Sequence, residues 1–130
     1  MKSEYIDVRG YWGLAIGYDL SPLDEYKVRE TLIGLGLHGD DLEEAIDILF
    51  YQLNTGMCIT LPEQRMSLVY IGRQTSEEQF WDTLEHEFYH ATISICAYYD
   101  ADYEGEDGAW TIGYLTRNAV KQIGEPCYEN

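Results

Sequence analysis

Basic residues are scarce in this chain: eight Lys and Arg stand against 24 Asp and Glu, a formal net charge of −16 over 130 residues. Neutralising phosphates takes clustered cations, so direct binding to nucleic acid is not expected. Cysteine is equally thin. Cys58, Cys96 and Cys127 form no CxxC pair and no even set, which reads as free thiols in a reducing compartment, with Cys96 a core residue. No stretch approaches the ~18 apolar residues of a membrane span. The N-terminal MKSEYIDVRGYW also lacks the continuous apolar segment of a signal peptide, so a cytoplasmic location is expected. Repeats and low-complexity tracts are missing as well.

What is present is the material of a folded protein. An apolar fraction of 45% with twelve tyrosines outweighs the disorder that so high a charge would otherwise suggest. At 130 residues the chain is expected to form one domain that serves one site. Its first 55 residues read as an N-terminal strand and support helices, and residues 56–130 as a hairpin, a long helix and a C-terminal helix. The fold class is therefore α+β.

Between Tyr11 and Tyr18, Trp12, Leu14, Ile16 and Tyr18 alternate with Gly13, Ala15 and Gly17, the period of a strand with a small-residue face. Ser21-Pro22-Leu23-Asp24 is a helix start that leads to Val28, Leu32 and Leu35, with a stop near Gly34 to Gly36. Asp40 with Glu43 reads as a second cap, opening an amphipathic helix through Leu42, Ala45, Ile46, Leu49, Phe50 and Leu53. MCITL and MSLVYI flank PEQR as the arms of a hairpin. Thr75-Ser76-Glu77-Glu78-Gln79 caps a long helix with Phe80, Leu84, Phe88, Ala91 and Ile95 along one stripe. An acidic link from Asp100 to Asp107 precedes a last helix, closed by Gly124 and Pro126.

The motif HEFYH, residues 86 to 90, lies in the middle of the long helix. Its histidines are four apart, so both imidazoles leave one face a turn apart and can meet a single zinc ion. Glu87 is within reach of a water that the ion activates, and so can take its proton and pass it to a leaving amine. Two of three histidines in the chain are committed to this pattern; the third, His38, sits far upstream in LGLHGDD. A carboxylate is therefore the better candidate for a third ligand. Glu106 is favoured among the acids of the link, because Ala109 and Gly113 share its helical face and would let the last helix approach the motif closely. Glu104 and Asp102 are the alternatives.

With HEFYH followed by an acidic link and EDGAWTIGYL, the chain resembles the gluzincin class of zinc peptidases over roughly residues 56–120. In particular it resembles the small phage- and mobile-element-type proteins in which ExxA follows HExxH on the next helix. The resemblance implies a small zincin-like domain holding Zn²⁺ through His86, His90 and Glu106, with Glu87 as general base and a peptide or protein as substrate. Larger members carry a distal His or Tyr that steadies the oxyanion; Tyr103 and Tyr114 are conceivable counterparts, though packing is the ordinary use of a tyrosine here. MSLVYI would be either the edge strand that such enzymes offer to an extended peptide or an ordinary interior strand.

Two other readings compete. DADYEG, from Asp100 to Gly105, matches the first half of a calcium-binding EF-hand loop but has Thr111 where the bidentate glutamate belongs. The acidic surface could alternatively serve a catalytically inactive zinc-binding or interaction protein that meets a basic partner. Glu87 separates that reading from an enzyme, because a charge mimic has no need of it.

Overall fold

The computed structural model describes residues 1–126 and Tyr128; Cys127 lies outside the described residues. Four strands form one mixed sheet, β1 (Lys2–Val8), β2 (Trp12–Tyr18), β3 (Gly56–Leu61) and β4 (Met66–Ile71), in the spatial order β1-β2-β4-β3. Helices α1 (Glu25–Gly34) and α2 (Gly39–Tyr51) cover one face, and α3 (Glu77–Tyr98) and α4 (Glu106–Ile123) cover the other. The α+β class is as expected.

Strand alternation divides the apolar residues between two cores. On β4, Val69 and Ile71 join Phe80, Leu84, Phe88, Ala91 and Ile95 of α3, while Leu68 and Tyr70 face Leu42, Ile46 and Leu49 of α2. The large residues of β2 point to the α3 side as their periodicity predicts. The opposite, small-residue face makes room for tyrosine rings: a Cβ on Gly13 would collide with Tyr5, and one on Gly17 would stand 2.7 Å from the ring of Tyr70.

The structure corrects three details and decides one that the sequence left open. Strand β1 was not anticipated; it pairs antiparallel with β2 through a turn at Arg9 and Gly10, both at positive φ. Its polar positions Lys2, Ser3 and Asp7 are exposed, as suits an edge strand, and only Ile6 and Val8 reach the core. MSLVYI is an interior strand, bonded in parallel to β2 and antiparallel to β3, so the edge on that side of the sheet is MCITL. Helix α2 starts a residue before the proposed cap, with His38 at the N-cap and Asp40 in the first turn, while Glu43 instead accepts from Arg29 at 2.6 Å.

The last correction concerns α4. Its packed face is Gly108, Thr111, Leu115 and Ala119, whereas Ala109 and Gly113 are exposed. The residue that requires glycine is Gly108, where a Cβ would overlap the backbone of Tyr103; Gly113 has open space around it. The small face that shares a side with Glu106 thus plays no part in helix packing. In α3 the sequence signals hold: Ser76 is the N-cap, and its hydroxyl accepts from the Gln79 amide at 3.1 Å. No helix among the described residues is long and apolar enough to cross a membrane.

Candidate metal centre

Helix α3 commits Leu84, Phe88, Ala91 and Ile95 to the core, and the 100° step between residues leaves His86 and His90 exposed on the adjoining face. The two imidazoles converge, with their Nε2 atoms 3.2 Å apart and their ring centroids 4.9 Å apart. Two zinc–nitrogen bonds of about 2.0–2.1 Å at a tetrahedral angle put their nitrogens about 3.3 Å apart, so this pair fits a shared ion.

Glu87, one step round the helix, is only 6% exposed. It packs against the start of β3, where a Cβ on Gly56 would stand 3.2 Å from its Cγ and 3.0 Å from Thr83 Cγ2. Burial raises the pKa of its carboxyl above the ordinary value, and the neighbouring His86 and His90 oppose that rise. Cys58, on the same strand, feels the same withdrawal from water: burial pushes its thiol up to about 11, and the charge of Glu87 adds to the rise.

His86 and Glu87 open onto a cleft of about 420 Å³ whose far wall is Ile48 of α2, its C-cap Gln52 and the link Asn54-Thr55-Gly56. Side-chain hydrogen bonds from distant segments hold that link in place. Gln74, 3% exposed, donates to the carbonyls of Thr55 (3.1 Å) and Gly72 (3.0 Å) and accepts from Thr83 Oγ1 at 2.9 Å. The Thr75 amide donates to Asn54 Oδ1 at 2.9 Å, which steadies Asn54 at its positive φ. This wall was not found by sequence reasoning. Its segment, residues 48–56, lies far upstream of the motif, and neither Gln74 nor Thr55 stands in a pattern that marks a site.

The structure brings His86 and His90 together, sets Glu87 beside them, and leaves His38 at the N-cap of α2. Among the described residues no three His, Cys, Asp or Glu side chains gather at metal-binding spacing, so no third ligand stands with the histidine pair in this arrangement. Glu106, exposed, is the first residue of α4. The two alternatives already have local work: Asp102 Oδ1 accepts from the Glu104 amide at 3.0 Å, and Glu104 interacts with the Tyr103 hydroxyl. The acidic link thus builds the turn into α4, with the Gly105 and Gly108 amides both donating to the Asp102 carbonyl. Tyr114, one of the two tyrosines considered for the oxyanion, instead donates to the carbonyl of Asp7 at 2.9 Å. Comparison of the chain with protein-family models, with curated proteins and with solved structures found no match.

Proposed function

We propose that this protein is a zinc-dependent peptidase of the gluzincin kind, with His86 and His90 as ligands, Glu106 as the third ligand and Glu87 as general base. One observation carries the reading: a carboxyl withdrawn from water lies beside two converging imidazoles, at the wall of a cleft. Burying a carboxylate is costly, and the fold supplies a site for it that even excludes a side chain at residue 56. An acidic interaction surface has no use for a carboxyl that its partner cannot reach.

Zinc, when bound, supplies Lewis acidity and brings the pKa of water toward ~7. The chain's own residues do the rest. Glu87 takes a proton on a carboxylate oxygen, holds it in a poorly hydrated pocket that favours the protonated form, and releases it to the leaving amine. The outer edge of β3, not bonded to another strand, offers main-chain groups to an extended peptide beside Glu87, which would align the scissile bond. Of the candidate third ligands, Glu106 has its carboxylate unengaged among the described residues, unlike Asp102 and Glu104.

The test combines metal analysis with a screen of peptides and casein-type substrates. One zinc per chain, lost in His86→Ala, together with hydrolysis that vanishes in zinc-loaded Glu87→Gln, is the expected result. Equal hydrolysis by wild type and Glu87→Gln would show a contaminating protease and defeat the mechanism. Single alanine substitutions of Asp102, Glu104 and Glu106 should give one dominant loss of zinc affinity, at Glu106.

A further inference from the structure

A second cleft, of about 340 Å³, lies where the C-terminal end of α3 meets the start of α4 and the β1–β2 turn, and it shares no lining residue with the cleft at His86 and Glu87. Ile95 and Cys96, 3% and 2% exposed, contribute apolar surface, and the rings of Tyr11, Tyr99 and Trp110 also line it. Aromatic side chains this large are normally drawn into a core, yet Tyr99 and Trp110 are each 41% exposed.

These rings are held in place by contacts within the chain. The Tyr99 hydroxyl donates to the Tyr11 carbonyl at 2.6 Å, with the two rings edge to face at 5.4 Å. Trp110 stacks on Tyr114 at 5.1 Å, and Tyr114 is tied to Asp7. Prior ordering of this kind removes much of the entropy that binding otherwise costs.

One charged residue lines the cleft, Asp107, and among the described residues its carboxylate has no hydrogen bond or ion pair. Arg9 acts on the Tyr11 hydroxyl but does not line the cleft. A pocket with apolar walls, aromatic rings and one unpaired carboxylate matches a ligand that is hydrocarbon at one end and cationic at the other.

We infer that this cleft binds an amphiphilic ammonium, with its aryl or branched alkyl group among Tyr11, Tyr99 and Trp110 and its charged nitrogen at Asp107. The chain's net charge of −16 favours approach of any cation and disfavours the carboxylate counterpart. The same chemistry is offered by a free arylalkylamine and by a peptide whose N-terminal residue is large and apolar. The inference is independent of zinc and of hydrolysis.

The test is titration of the full chain with phenethylammonium and with 2-phenylethanol, a neutral molecule of nearly equal size, read by chemical shifts of Trp110 and Ile95. Saturable binding with about a tenfold preference for the ammonium is expected, from cation–π and ion-pair contributions of ordinary size. Asp107→Asn, at an exposed position, should abolish the preference while leaving alcohol binding as it was. A parallel titration with a peptide bearing N-terminal phenylalanine, and with its N-acetylated form, decides between the two sources: tighter binding by the free-amine peptide than by phenethylammonium assigns the site to peptide N-termini, and the reverse assigns it to small amines. Equal affinity for ammonium and alcohol, absence of saturation with all four probes, or an unchanged preference in a folded Asp107→Asn protein would overturn the inference. If that variant does not fold, the ammonium-to-alcohol comparison on the wild-type chain decides alone.

Discussion

The two clefts that α3 borders are alike in size and opposite in construction. The one at His86 and Glu87 is about 420 Å³ and is walled by hydrogen-bonding side chains and a backbone link, with a carboxyl pressed into its side. The one at Trp110 is about 340 Å³ and is walled by rings, with its carboxylate, Asp107, exposed. Burial is the instructive difference. Burial shifts the carboxyl of Glu87 toward its protonated form, whereas Asp107 lies open to solvent where a cation can approach it. On the two readings proposed above, one carboxyl would serve chemistry and the other recognition.

The largest expected effect that sharpens this contrast is on rate. Replacing Glu87 by Gln keeps the shape of the first cleft and removes the proton acceptor, so hydrolysis should fall by about 10² to 10⁴ while zinc content stays at the wild-type level. Steady-state kinetics alongside metal analysis checks it, and a variant that loses its zinc would mean that Glu87 holds the ion instead of serving as base.

Next in size is the effect of the metal on stability. Free zinc at a hundredfold excess over its Kd should stabilise the fold by about 2.7 kcal/mol, which raises the Tm by roughly 10 °C in a domain of this length. Melting curves with and without chelator, repeated on His86→Ala, measure it. An identical Tm after verified metal removal would show that His86 and His90 hold no ion that matters to folding.

A smaller effect comes from Cys58, on the strand against Glu87. Its thiol is pushed from 9.0 to about 11 by burial, so in this pH range the folded chain binds the proton more tightly than the unfolded chain does. Stability from this group is fully present below pH 9 and is lost as pH rises from 9 toward 11, by on the order of 2 kcal/mol. Urea melts of wild type and Cys58→Ala across that range should therefore converge as pH rises; a constant difference between them would place the thiol in contact with water.

The smallest effect lies on the aromatic side. Tyr114→Phe removes the hydrogen bond to the Asp7 carbonyl but keeps the ring under Trp110, and should cost about 1 kcal/mol or less in a urea melt. A loss above about 2 kcal/mol would show that the hydroxyl, and not the stack alone, organises the second cleft.

Much of α3 was legible beforehand because its determinants are local. The Ser76 cap, the stripe from Phe80 to Ile95 and the shared face of His86 and His90 follow from the 3.6-residue turn and involve partners three or four residues apart. The hairpin of MCITL and MSLVYI is local in the same sense. The expectation that Ala109 and Gly113 faced α3 was local too, but helical period alone does not say which face of α4 its neighbour will cover, and the packed face ran through Gly108 and Leu115 instead.

Sequence by itself thus determined the acidic charge, the α+β composition and the histidine pair, since these depend on residue identity and on neighbours one turn away. Tertiary structure alone decided that MSLVYI is interior, that β1 closes the opposite edge, that Glu87 is buried against Gly56, and that Tyr11, Tyr99 and Trp110 share a cleft. Each of those facts depends on segments far apart in the chain meeting across the sheet or between helices. Such meetings are selected by the joint burial of two cores, a free energy that no single segment carries.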